Sequence, residues 1–178
     1  MHTAVSDALE RARRVRLMAF DVDGVLTDGR LWYGPRGEAL KTFSAHDGHG
    51  MKMLGGSGVV LALLSGRESA AVSRRASELG VTHVLQGAED KRAAFDALLA
   101  KLALRPEAAG YMGDELVDLP VLRRCGFACA PREAPEILRQ YVHYVAGAAA
   151  GAGAVREVCE FIMRAQGTLE GALAGYLR

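Results

Sequence analysis

Six short apolar runs recur along the chain, and most are separated by a stretch with helical character. The runs are residues 15–20, 59–64, 82–85, 109–112, 127–130 and 141–145. Helices are expected at 68–78, 90–102, 117–124 with Pro120 in the first turn, and 134–140, with another starting near Asp47. A buried strand of this length cannot shield both faces by itself, and strand, helix, strand in sequence returns the chain to a parallel neighbour. The fold class predicted is therefore α/β: a Rossmann-like, doubly wound parallel sheet with helices on both faces.

Other segments decorate that core. Residues 4–14 predict a short leading helix. Residues 30–33 and 38–43 flank Gly34-Pro35-Arg36-Gly37, which predicts a β-hairpin flap over about 30–43. His46-Asp47-Gly48-His49-Gly50 reads as a polar loop, residues 146–154 as an Ala/Gly loop, 155–165 as an amphipathic helix and 168–178 as a weakly helical tail. The whole of 1–178 reads as a single domain, and no insertion is long enough for a large cap domain.

Composition narrows the function classes. Twenty-two basic residues face 21 acidic ones, a net charge of +1. That argues against a nucleic-acid or membrane-surface partner, each of which favours a basic excess. No apolar run approaches the ~18 residues of a membrane span, and the polar N-terminus has no signal-peptide core. Cys125, Cys129 and Cys159 are scattered and odd in number, so they read as buried free thiols in a cytoplasmic protein.

The strongest chemical signal is Asp21-Val-Asp23-Gly24-Val-Leu-Thr-Asp-Gly29, directly after the first core strand. Two carboxylates at i and i+2 on a strand end do not suit an apolar core. Asp21 can attack phosphorus and carry the phosphoryl group, while Asp23 serves as general acid and then general base. A carboxylate approaching a phosphate dianion meets repulsion on the order of 10 kcal/mol at ~3 Å and an effective dielectric of ~20. The site therefore calls for cations, most simply Mg²⁺ with oxygen ligands.

The partners lie at other strand ends. Ser65 follows the strand at 59–64 and can hold phosphoryl oxygens. Lys91 opens a helix and is one of four lysines in a chain that otherwise uses arginine. Gly113-Asp114-Glu115-Leu-Val-Asp118 adds acidic groups after 109–112. In open α/β sheets that edge is where ligands bind.

Asp21/Asp23, Ser65, Lys91 and Asp114/Asp118, in this order, resemble the four motifs of the haloacid dehalogenase superfamily of aspartate-nucleophile phosphatases. DVDGVLTDG, the hairpin, DGHG, LLSGR, HVLQGAEDK, GDELVDLPVL and GAVREVCEFIMRAQG resemble more narrowly the superfamily's 3-deoxy-D-manno-octulosonate 8-phosphate (KDO 8-phosphate) phosphatases, over residues 15 to 168. The resemblance implies a Mg²⁺-dependent phosphomonoesterase in lipopolysaccharide sugar biosynthesis. It implies Mg²⁺ held by Asp21, the backbone carbonyl of Asp23, and Asp114, with Asp118 orienting the metal shell and Ser65 and Lys91 gripping the phosphoryl group. It puts substrate contacts on Asp23, Lys91, the segment Ser44, Ala45, His46, Asp47 and Gly48, and on Lys52, Arg67 and Arg75. Arg67 and Arg75, eight residues apart, are expected to share a helix face.

It further implies a homotetramer whose hairpins cluster and whose neighbours close each site. That agrees with the apolar surface expected at Leu31, Trp32, Tyr33 and Phe43. Ala152 stands where the family commonly has arginine, which bears on substrate choice. Two alternatives remain at this point: a phosphatase of the same family acting on a sialic-type acid 9-phosphate, and a non-enzymatic receiver-like phosphoacceptor.

Overall fold

The computed structural model describes residues 2–35 and 37–177. Met1, Arg36 in the predicted hairpin turn and Arg178 in the predicted tail lie outside the described residues. In chain order the elements are α1 (His2–Arg13), β1 (Leu17–Phe20), β2 (Trp32–Gly34), β3 (Gly37–Leu40), α2 (Ala45–Gly56), β4 (Val60–Leu64), α3 (Ala70–Leu79), β5 (His83–Leu85), α4 (Lys91–Lys101) and β6 (Ala109–Met112). Then come α5 (Leu119–Leu122), β7 (Phe127–Ala130), α6 (Glu136–Arg139), β8 (Tyr144–Val145), α7 (Ala154–Gln166) and α8 (Leu169–Ala174).

Six strands pair in parallel in the order β5-β4-β1-β6-β7-β8, and β2 and β3 form a separate antiparallel hairpin. Period-two alternation divides the core between the two faces. Met18, Phe20, Leu61, Leu63, Met112 and Phe127 pack with residues of α1, α2, α3 and α7. Leu17, Ala19, Ala62, Leu64, Tyr111 and Ala128 pack on the opposite side with α4, α5 and Leu138 of α6. Fully burying a side chain such as Phe20 or Leu64 contributes about 1.5–3 kcal/mol, so both layers are strongly held. The cysteines are free and buried, as expected. Among the described residues no helix is long and apolar enough to cross a membrane.

The chain fills the sheet outward from β1, first to β4 and β5 on one side, then to β6, β7 and β8 on the other. The order reverses at β1, so β4, β1 and β6 present their carboxyl ends side by side at the switch point.

Several local readings need correction. The 46–50 segment is the first part of α2 rather than a loop, because Ser44 caps the helix and its Oγ accepts from Asp47 N. Helix α3 begins at Ala70, with extended Ser69 as its cap residue, which leaves Arg67 in the preceding turn. Arg67 and Arg75 therefore do not share a helix face. Residues 117–124 form a 3₁₀ turn (Leu116–Asp118) followed by the short α5. The strand expected at 141–145 shrinks to its last two residues.

Candidate active site

β1 delivers Asp21 to the sheet edge, where its N–H donates to Met112 O at 2.9 Å. The chain then makes one wide turn over Val22–Leu26, closed by Thr27 N donating to Val22 O at 3.0 Å. Gly24 sits in that turn at φ +83°, where a Cβ would lie 2.0 Å from Asp114 Oδ2. Only glycine meets both the left-handed backbone and that close approach.

Asp21 is almost fully buried. Its Oδ1 accepts from Val22 N at 2.7 Å and its Oδ2 lies 2.9 Å from Lys91 Nζ. Lys91, the first residue of α4 after the Asp90 cap, also donates to Asp118 Oδ1 at 2.7 Å. Asp118 is fully buried and occupied by four donors. Tyr111 OH joins Lys91 on Oδ1 at 2.6 Å, and Asp114 N and Glu115 N donate to Oδ2 at 3.0 and 3.2 Å. Asp118 is thus an organiser that aims Lys91 and the Asp114 turn.

Carboxylate oxygens of Asp21, Asp114 and Asp118 lie within 4.8 Å of one another. One lysine faces three carboxylates, so the cluster is short of positive charge. Burial and then the neighbouring Asp118 charge push Asp21 up to about 7, against the pull of Lys91. Burial, then Asp21 and Asp118, raise Asp114 to about 7. Asp114 Oδ1 is buried and has no hydrogen-bond partner among the described residues. An orphaned carboxylate oxygen beside a second buried carboxylate fits a hard divalent cation. Each Asp21 oxygen accepts a single donor and Asp114 Oδ1 none, so both residues have lone pairs to offer it, whereas each Asp118 oxygen already accepts two donors.

Ser65 is buried at the end of β4; its N–H donates to Leu85 O and its Oγ accepts from Arg67 N at 3.2 Å. With Asp21, Asp23, Arg67, Lys91 and Asp114 it lines a cavity of about 300 Å³. The Asp23 side chain turns from the carboxylate cluster toward Arg67, whose Nε is 3.8 Å from Oδ2, and toward Lys41, which donates to Oδ1.

The other expected substrate residues are not among those lining this cavity. Asp47 is buried and accepts from Gly153 N and Arg156 N at 3.2 and 2.8 Å, capping α7. Ser44 caps α2, Gly48 is covered by Arg75, and Arg75 donates to Ser44 O at 3.2 Å. Ala45, His46 and Lys52 are exposed on α2. Phe43 packs against the core beneath Arg75 and is not an exposed hairpin residue, and Leu31 is half-buried; Leu40 joins Trp32 and Tyr33 on the outer surface.

Lys41, Glu38 and Tyr111 escaped the sequence reading as site residues. The scarcity of lysine that marks Lys91 marks Lys41 equally. Tyr111 reads simply as a core aromatic until Asp118 is placed beside its hydroxyl.

Comparison with known proteins follows the same lines. No family model matches the chain. It is 43% identical over 166 residues to the 3-deoxy-D-manno-octulosonate 8-phosphate phosphatase KdsC of Yersinia pestis, covering 93% of this chain and 89% of that protein. The phosphatase of that name from Moraxella catarrhalis, solved with a magnesium ion, a phosphate ion and KDO, superposes with a TM-score of 0.93 at 39% identity, over 96% of this chain and 98% of that one. The cobalt-bound deoxy-D-mannose-octulosonate 8-phosphate phosphatase of Haemophilus influenzae gives 0.90 at 36% identity, over 94% and 99%.

Proposed function

The chain belongs to the family of KDO 8-phosphate phosphatases, the branch of the haloacid dehalogenase superfamily that its motifs resemble, and from that premise we propose how its residues perform the reaction. The protein is a Mg²⁺-dependent phosphoric monoester hydrolase that cleaves KDO 8-phosphate to KDO and phosphate. The observation that carries the chemistry is the buried Asp21 carboxylate, held at both oxygens beside the partnerless Asp114 Oδ1.

Asp21, the carbonyl of Asp23, and Asp114 would hold Mg²⁺, which neutralises charge on the phosphoryl oxygens when bound. Asp21 attacks phosphorus, its O–P bond forming as the ester P–O bond breaks, and the departing sugar oxygen takes a proton from Asp23. Water then attacks the aspartyl-phosphate, Asp23 takes its proton, and phosphate leaves with Asp21 regenerated. Lys91 and Ser65 orient the phosphoryl group. Arg67, at the cavity wall, is suited to the substrate carboxylate.

The sialic-type 9-phosphate alternative is not favoured, since the relatives at 42–43% identity are KDO 8-phosphate phosphatases. A receiver-like phosphoacceptor is not favoured either; Asp23, two residues after the nucleophile and lining the same cavity, is what turnover requires.

We further propose that residues 1–178 act as one domain and assemble as a homotetramer. The support is the apolar outer face of the hairpin at Trp32, Tyr33 and Leu40, together with the position of residues 44–48, Lys52 and Arg75 away from their own cavity. In an assembly the exposed members of that set, Ala45, His46 and Lys52, serve a neighbour's site. The three buried thiols suit a cytoplasmic setting.

Phosphate release from KDO 8-phosphate with Mg²⁺ present tests the activity. Asp21→Asn, which also sets an amide against Lys91, should lower kcat by about 10⁴-fold or more. Near-normal turnover by Asp21→Asn refutes the covalent mechanism.

A further inference from the structure

Lys41 lies just past β3 on a hairpin with an exposed outer surface, yet its own side chain is only 2% exposed. Its ammonium group sits between Asp23 Oδ1 and Glu38 Oε2, the latter at 2.9 Å. Glu38 Oε1 in turn accepts from Ser69 Oγ at 2.6 Å, and Ser69 N donates to Gln86 Oε1 at 2.8 Å. A polar relay therefore runs from the Asp23 turn through the hairpin stem to the start of α3. Withdrawing a lysine from water is costly unless it is paired, and here two carboxylates pair it.

Asp21 and Asp118 are each fixed by several donors. Among the described residues, Lys41 is the one group that hydrogen-bonds the Asp23 carboxylate. Arg67 is beyond hydrogen-bond range at 3.8 Å and is half exposed. Without Lys41 the Asp23 side chain could rotate toward Lys91 or Arg67. With it, Oδ1 is anchored and Oδ2 is left toward Arg67, which lines the cavity together with Asp23, and a leaving oxygen there needs a proton.

We propose that Lys41 is a positioning residue: docked with the hairpin, it anchors Asp23 Oδ1 so that Oδ2 faces the leaving-group oxygen. The Lys41 side chain is withdrawn from solvent and is not among the residues lining the cavity, so it acts through Asp23. The hairpin then has a role inside its own subunit, completing the acid/base geometry as it docks. This rests on the assignment of Asp23 as general acid/base, and the test separates the two.

The experiment measures kcat/KM, which reports the steps through leaving-group departure, for wild type, Lys41→Met and Lys41→Arg with saturating Mg²⁺. Three substrates are compared: KDO 8-phosphate, glycerol 3-phosphate and 4-nitrophenyl phosphate. The first two expel alkoxides that need a proton; the third expels an anion that does not. Lys41→Met should lose about tenfold or more on both alkyl esters relative to the aryl ester, and Lys41→Arg should recover part of that loss. Glu38→Gln, which removes the charge that braces Lys41 and keeps a carbonyl oxygen for Ser69 Oγ, should show the same pattern more weakly and reads the effect if Lys41→Met fails to fold. Equal losses on all three substrates, or a loss confined to KDO 8-phosphate, would overturn the proposal. In the same assay Asp23→Asn checks the underlying assignment: it must show the alkyl-over-aryl loss whatever Lys41→Met does.

Discussion

Tyr111→Phe removes one oxygen from the centre of the molecule. Tyr111 is fully buried among Phe95 and the α4–α5 layer, and its ring meets Phe95 edge to face at 6.1 Å between centroids. Its hydroxyl donates to Asp118 Oδ1 at 2.6 Å, and burial followed by the Asp118 charge raises the phenol pKa well above its usual value, keeping it a donor. Phenylalanine keeps the ring packing, so the loss is one hydrogen bond to a buried carboxylate. Such bonds contribute about 1.5–3 kcal/mol. At about 2–4 °C per kcal/mol for a chain of this size, the melting temperature should fall by roughly 3–12 °C. Asp118 keeps Lys91 and two backbone donors, so the fold survives. Asp118 also aims Lys91 and the Asp114 turn, so kcat should fall by about tenfold, and Mg²⁺ affinity measured by calorimetry should weaken. Differential scanning calorimetry, Mg²⁺ titration and steady-state kinetics read these effects. A variant with wild-type melting temperature and Mg²⁺ affinity refutes the view that Tyr111 braces the cluster.

Three further outcomes follow from the site. Asp21 and Asp114 have folded pKa values near 7, above the carboxylate value of 3.8, so their contribution to stability is fully present below about 3.8 and is lost as pH rises through 7. The gain in melting temperature produced by Mg²⁺ should therefore grow between pH 4 and 7; a gain independent of pH refutes the assignment of these ligands. Arg67→Ala should cut kcat/KM about tenfold or more for KDO 8-phosphate, and much less for a phosphate ester lacking the carboxylate; equal losses place Arg67 at the phosphate. At the far edge of the sheet, His143 Nδ1 accepts from Ala128 N at 2.8 Å, and burial, then Arg11, lowers its pKa. That bond's stabilisation is full above about pH 6.5 and lost as pH falls, so His143→Ala should cost about 1 kcal/mol at pH 8 and less at pH 5; denaturant melts with the same cost at both pH values count against it.

The sequence makes the sheet strands and the four motif positions legible for local reasons. Ala109–Met112 and Phe127–Ala130 begin and end as their apolar runs do, because each strand is buried on both faces and must be apolar throughout. Asp21, Ser65, Lys91 and Asp114 announce themselves as polar residues placed where such runs or their return helices begin or end. The misread pieces are those with mixed composition. His46–Gly50 carries two glycines and two histidines, and reads as a loop until the Ser44 cap and the α7 N–H groups that Asp47 satisfies are seen.

The primary sequence alone determined the architecture, the catalytic chemistry and the demand for a cation, since strand periodicity and the charge of the DxD pair are local properties. Only the tertiary structure decided which polar groups are spent on one another. It committed Asp118 to four donors, left Asp114 Oδ1 partnerless, turned Asp47 and Arg75 to holding α2 and α7, and brought Lys41 from the hairpin to Asp23. Those pairings join residues as many as 109 positions apart in the chain. They exist because packing two helical layers on a twisted sheet removes water from these groups and leaves each one only the partners that the fold brings within reach.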